Sequence, residues 1–116
     1  MRRLAILGAL LLGGCTLLER DNIDTFVVDV GNRDVSTAEA ELYGKPKKLL
    51  RSGNLLIGSY AIRGDGSGEI RVHFSDGVIV RCPIGYVTHG LPDHLWRYEI
   101  KGDRCEQPQA VARAEA

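Results

Sequence analysis

Four stretches of this 116-residue chain alternate apolar and polar side chains with a period of two. TFVVDV sets Phe26, Val28 and Val30 against Thr25, Val27 and Asp29. EIRVHF sets Ile70, Val72 and Phe74 against Glu69, Arg71 and His73. VIVRCPIGY places Val78, Val80, Cys82, Ile84 and Tyr86 on one face, and WRYEI places Trp96, Tyr98 and Ile100 opposite Arg97 and Glu99. A strand turns successive side chains to opposite faces, so each stretch has one face that must be buried by another layer. Turn signals separate the stretches: GNRD at 31, SGN at 52, GDGSG at 64 and SDG at 75. Short strands at that spacing predict a mostly β protein, a small antiparallel β-sandwich or barrel.

One segment reads two ways. STAEAELYG can be a strand with Ala38, Ala40 and Leu42 inward. It also holds Ser36 and Glu39 at capping-box spacing, with Gly44 and Pro46 placed to end a helix. Strand is preferred, because seven residues make a poor self-nucleating helix. The alternative is a short helix near 37–43 and an α+β fold.

HFSDGVIV predicts a hairpin whose register can be derived. A two-residue Asp76-Gly77 loop would pair Phe74 with Ile79 and send Val78, Val80 and Cys82 to solvent. A three-residue Ser75-Asp76-Gly77 loop pairs Phe74 with Val78, Val72 with Val80 and Ile70 with Cys82, all inward. A one-residue slip flips every side chain, so burial selects the longer loop. Glycine at its third position suits the left-handed residue of a three-residue hairpin. Pro83 lacks an N–H, which predicts an edge strand or a break there.

The chain opens MRRLAILGALLLGGC. Arg2 and Arg3 precede an apolar run from Leu4 to Leu12, then Gly13 and Gly14 lead to Cys15. Charge, apolar core and small residues in that order form a secretory signal peptide. The run is shorter than the roughly 20 apolar residues that a spanning helix needs. Leu12-Gly13-Gly14-Cys15 resembles the lipobox of bacterial lipoproteins. The resemblance covers the first fifteen residues. It implies cleavage between Gly14 and Cys15, diacylation of Cys15 and a protein joined to the membrane through that lipid. Two or more acyl chains are what stable anchoring requires. Thr16 stands where an aspartate would mark retention at the inner membrane. The expected location is therefore the periplasmic side of the outer membrane, with the inner membrane as the alternative.

The expected organisation is a signal peptide at 1–14, a lipidated cysteine and tether at 15–23, one β-rich domain at 24–105, and a disordered tail at 106–116. Cleavage would leave 13 basic against 15 acidic residues. That balance gives no basic surplus for nucleic acid, and none is expected as a partner. With Cys15 lipidated, Cys82 and Cys105 remain in an oxidising compartment, where a disulfide is the default. Cys105 is out of phase with Trp96, Tyr98 and Ile100, which predicts a bulge or strand end near Gly102-Asp103.

Chemistry-bearing motifs are sparse. GDGSGEI lacks both essential EF-hand ligands, because Arg63 and Phe74 occupy those positions. Arg63-Gly64-Asp65 is what a turn requires as much as it is an adhesion tripeptide. The loop THGLPDH carries His89, Asp93 and His94. Its spacing fits no familiar zinc pattern, and oxidised cysteines do not ligate. No catalytic residue, metal or cofactor is assigned. The candidate binding patch is Tyr86, His89, His94 and Trp96, with Trp96 read first as a core anchor.

The expected function is a non-catalytic binding or structural module whose partner is an envelope protein or a cell-wall component. The alternatives are an inhibitor of cell-wall lysozymes, on analogy of size and address, and a small enzyme or metal site at the His89/His94 loop.

Overall fold

The computed structural model describes residues 21–108. The expected signal peptide, Cys15, most of the expected tether and residues 109–116 lie outside the described residues. Among the described residues there are nine strands and no helix: β1 Asn22–Asp29, β2 Val35–Leu42, β3 Lys45–Lys48, β4 Leu50–Ser52, β5 Leu55–Ile62, β6 Gly66–Phe74, β7 Ile79–Val87, β8 His94–Lys101 and β9 Arg104–Glu106. They form two sheets, β4-β5-β1-β8-β9 and β3-β2-β6-β7. Their inner faces meet over one core, in which Phe26, Leu42, Leu56, Ile62, Ile70 and Val72 are fully buried. The expected sandwich is present.

The ambiguous segment is strand through Leu42, with Ala38, Ala40 and Leu42 buried. The residues that resembled a helix terminus form a tight hairpin instead. Leu42 pairs with Lys45, and both loop residues, Tyr43 and Gly44, have positive φ (57° and 71°). That is the type I′ geometry that two-residue hairpins favour. The 75–77 hairpin has the derived register: Ile70 pairs with Cys82 and Val72 with Val80. The Phe74 amide donates to Val78 O at 2.8 Å, and Gly77 takes φ 95°.

Three expectations are corrected. First, the sheets are not wholly antiparallel, because β1 and β8 run parallel, with Phe26 beside Trp96 and Val28 beside Tyr98. Residues 88–93 between β7 and β8 can cross one end of the sandwich but span at most about 20 Å at ~3.3 Å each. β8 therefore starts at the end where β7 stops, which is also where β1 starts. Second, β1 begins at Asn22 and β9 ends at Glu106, so the domain takes in residues expected in the tether and the tail. Third, Tyr86 points outward. Gly68 pairs with Ile84 but Gly66 with Val87, so β7 carries one extra residue there. That bulge flips the phase, exposing Tyr86 and burying Val87.

Each flank joins the sheets. On one side the chain passes from β3 to β4 through Leu49, whose amide donates to Ala38 O at 3.0 Å. On the other, Cys82 of edge strand β7 is bonded to Cys105 of edge strand β9, with Cα atoms 5.4 Å apart. β8 ends at Lys101, as expected, and turns back through Gly102-Asp103. Cys105 thereby lies opposite Ile100 and faces inward. Tyr98 adds a polar link, its hydroxyl donating to Pro83 O at 3.1 Å. Burial holds that phenol well above its ordinary range.

The outer face of the second sheet sets Glu41 directly opposite Glu69, a repulsive pairing. Arg71 relieves it, reaching Glu39 at 2.6 Å, Glu41 at 2.7 Å and Glu69 at 2.8 Å. The Arg71 hydrogen bond is the main reason that Glu69 titrates below its ordinary value of 4.5, with Arg81 adding to it. A depressed folded value means stabilisation that is complete above about pH 4.5 and lost as pH falls through the lowered value. Urea midpoints should therefore fall as pH is lowered below about 4.5. Arg71→Met should flatten that fall; an unchanged acid profile in the variant would remove Arg71 as its cause.

Candidate functional site

At the end of the sandwich where β1 begins, here the N-terminal pole, a cleft of about 370 Å³ opens between β1, β8 and the 88–93 loop. Its floor comes from β1. The inward set Phe26, Val28 and Val30 continues backward, in phase, to Asp24 and Asn22. Both are buried, Asp24 to 4% exposure. A buried carboxylate needs donors. The Trp96 indole N–H donates to Asp24 Oδ2 at 3.0 Å, and the Asn22 amide donates to Oδ1 at 3.3 Å.

The same residues pin the loop. Asn22 Oδ1 accepts from the Gly90 amide at 3.1 Å, and Asp93 Oδ1 accepts from the Ile23 amide at 2.8 Å. His89 lies 3.2 Å from Asp21 Oδ1, which also faces Arg63. The loop is thus tied to the first strand at two points and to the residue before it at a third. It presents Leu91 and Pro92 to the cleft, with Leu91 56% exposed.

Trp96 serves both the core and the cleft. Its ring stacks on Phe26 with centroids 6.1 Å apart, and it lines the cleft half-buried. His94 packs its ring edge-on at 4.9 Å. Gly85 faces the indole: a Cβ there would stand 3.4 Å from it, in ordinary contact. Tyr86, 68% exposed, completes the rim. The nearby Asp65 carboxylate raises the Tyr86 phenol above its ordinary range.

The four patch residues read from the sequence therefore share one pole. Tyr86, His94 and Trp96 line the cleft, and His89 braces the loop behind it. The two histidines engage different partners. Among the described residues no group of three or more His, Cys, Asp or Glu gathers as metal ligands. Sequence reasoning missed Asn22 because TLLERDNI reads as a tether, and Asp24 because an acidic residue at the first position of the expected domain reads as solvated. The usable signal was the phase of Phe26 and Val28 carried two residues at a time toward the N-terminus.

No known protein family, curated protein or solved structure matches this chain. What the site can do rests on its own geometry. The Asp24 oxygens are each occupied by a donor, so the carboxylate fixes Trp96 and Asn22 in place. Around that fixed floor the rim offers exposed apolar and aromatic surface.

Proposed function

We propose that the protein is a lipid-anchored binding module of the bacterial envelope, acting through contact with a partner and not through a reaction. The observation that carries this reading is the cleft: a floor whose polar atoms are paired, under a rim of Tyr86, Leu91, Pro92 and half-buried Trp96 that the other described residues leave open. Exposed aromatic and aliphatic side chains around a rigid concavity mark contact sites. The lipobox-like Leu12-Gly13-Gly14-Cys15 supports the address, and Thr16 supports the outer membrane. The partner that fits is an envelope protein offering an apolar segment to the cleft. A lysozyme-type enzyme is one such candidate.

Two measurements test this. In cells, Cys15→Ser should abolish lipid labelling and leave the uncleaved precursor; normal processing of that variant would end the anchor reading. A photo-crosslinker placed at Leu91 should capture a discrete partner, whereas one at Ile79, exposed at the far end, should not. Equal capture from both positions, or none from Leu91, would dismiss the cleft as the contact site. Capture of a cell-wall lysozyme at Leu91 alone would identify the inhibitor form of the reading.

A further inference from the structure

A second cleft, of about 530 Å³, opens at the same pole on the other side of the 63–65 loop. Its lining carries three cations, Lys45, Lys47 and Arg63, against one carboxylate, Asp65, and Arg63 also faces Asp21 at 3.6 Å. Its walls are Tyr43 and Tyr60, set edge to face at 6.3 Å. Both phenols are spent on fixing those walls. Tyr43 donates to Gly64 O at 2.7 Å, and Tyr60 donates to the carbonyls of Leu42 and Lys45. The Lys47 ammonium is steadied by Ser59 O at 2.8 Å.

Tyr43 is the unusual member. It is the non-glycine residue with positive φ among those described, in a turn where asparagine or glycine is the relaxed choice. A bulky side chain there costs stability. The surroundings are fitted to it: a Cβ on Gly66 would stand 3.0 Å from the Tyr43 ring. A turn that needs only to reverse the chain has no use for a tyrosine. A cleft that needs an aromatic wall does.

We propose that this cleft docks phosphate headgroups of the membrane to which the chain is joined, setting its own side of the N-terminal pole against the bilayer and leaving the first cleft open. The inference rests on the lipid-anchor reading above. Because β1 starts at Asn22, six residues separate it from Cys15, a reach of at most about 20 Å at ~3.3 Å per residue. The pole is therefore the part of the domain kept nearest the lipid. On this cleft's side of the pole Tyr43, 38% exposed, presents an aromatic ring beside the cations. Aromatic rings with lysine and arginine beside them suit the headgroup zone, and each cation near an anionic surface contributes about fivefold in binding.

The test uses protein produced from the full chain and reconstituted into vesicles of phosphatidylcholine alone or mixed with phosphatidylglycerol. Amine-reactive labelling is read residue by residue. Lys45 and Lys47 should be modified at least about fivefold more slowly on the anionic vesicles, with Lys101 at the far end unchanged. Added salt should erase the difference. Arg63→Gln should reduce the protection. Tyr43→Asn should remove it while keeping or raising the melting temperature, since asparagine suits the turn. Equal labelling of vesicle-bound protein on both lipids overturns the docking and leaves the anchor standing. Protein that sediments with neither vesicle overturns the anchor, and the docking with it. Protection by inorganic phosphate on neutral vesicles, as strong as that from phosphatidylglycerol, overturns the membrane as occupant. Intact protection in Tyr43→Asn overturns the cleft as the site.

Discussion

Removing the Cys82–Cys105 bond, by reduction or as Cys82→Ala with Cys105→Ala, should destabilise the domain by about 3 kcal/mol. The bond closes a loop with a sequence separation of 23. Chain-entropy arguments assign a loop of that length roughly 3 kcal/mol, through the freedom that the cross-link removes from the unfolded chain. For a domain of this size that corresponds to a fall in melting temperature of roughly 12–24 °C. The position of the bond adds a local consequence. β7 and β9 are edge strands of different sheets, joined by this bond and by the buried contacts behind it. Without it, β9 is a three-residue strand held by one neighbour. Hydrogen exchange in the reduced protein should therefore rise first in β9 and β7, ahead of β1 and β6. A melting temperature within a few degrees of the oxidised protein would show that the sheets hold together without the bond.

Gly68→Ala should be at least as damaging, for a different reason. Gly68 sits in β6 beside β2, at the point where the β6–β7 register shifts. A Cβ there would be driven into the carbonyl oxygen of Glu41, with the carbonyl carbon 2.9 Å away and Leu42 Cδ2 at 3.2 Å. The obstacle is backbone, so no rotamer change relieves it. The β2–β6 ladder would have to part where Leu42 enters the core. Overpacking of this kind costs roughly 1–3 kcal/mol. Each ladder bond lost adds about 1 kcal/mol. Several kcal/mol is a large share of a small domain's stability, so Gly68→Ala should fold poorly or not at all. Gly64→Ala is the matched control: nothing lies within 4 Å of its Cβ and its φ is not positive. It should change the urea midpoint little. Similar midpoints for the two variants would mean that the β2–β6 approach can relax.

Much of the sandwich was legible in the sequence because burial in a sheet is periodic. Phe26, Val28 and Val30, Ile70, Val72 and Phe74, and Tyr98 and Ile100 all face inward in the phase that alternation predicts. The 75–77 hairpin was legible down to its register, since only one loop length buries Val80 and Cys82. Once that register placed Cys82 inside, its pairing with Cys105 needed only the oxidising compartment that the start of the chain leads one to expect. These are local properties: a residue's face depends on its neighbours two positions away.

The cleft and the flanks were not legible, because they depend on residues far apart in the chain. KPKK and LRS form strands with no apolar face of their own. They are edge strands that pair because β2 and β5 are already in place, and lysine and proline keep that edge from recruiting another chain. The parallel placement of β8 followed from which end of the sandwich β7 reached. The outward turn of Tyr86 followed from one extra residue opposite Ser67. Asn22 and Asp24 became the floor of the cleft when Trp96, more than seventy residues later, brought an N–H to the Asp24 carboxylate. Alternation specifies which side of a strand is buried; it carries no information about which strands lie beside each other. That choice was made by the lengths of the connections and by the need to give every buried polar atom a partner, and only the assembled tertiary structure contains it.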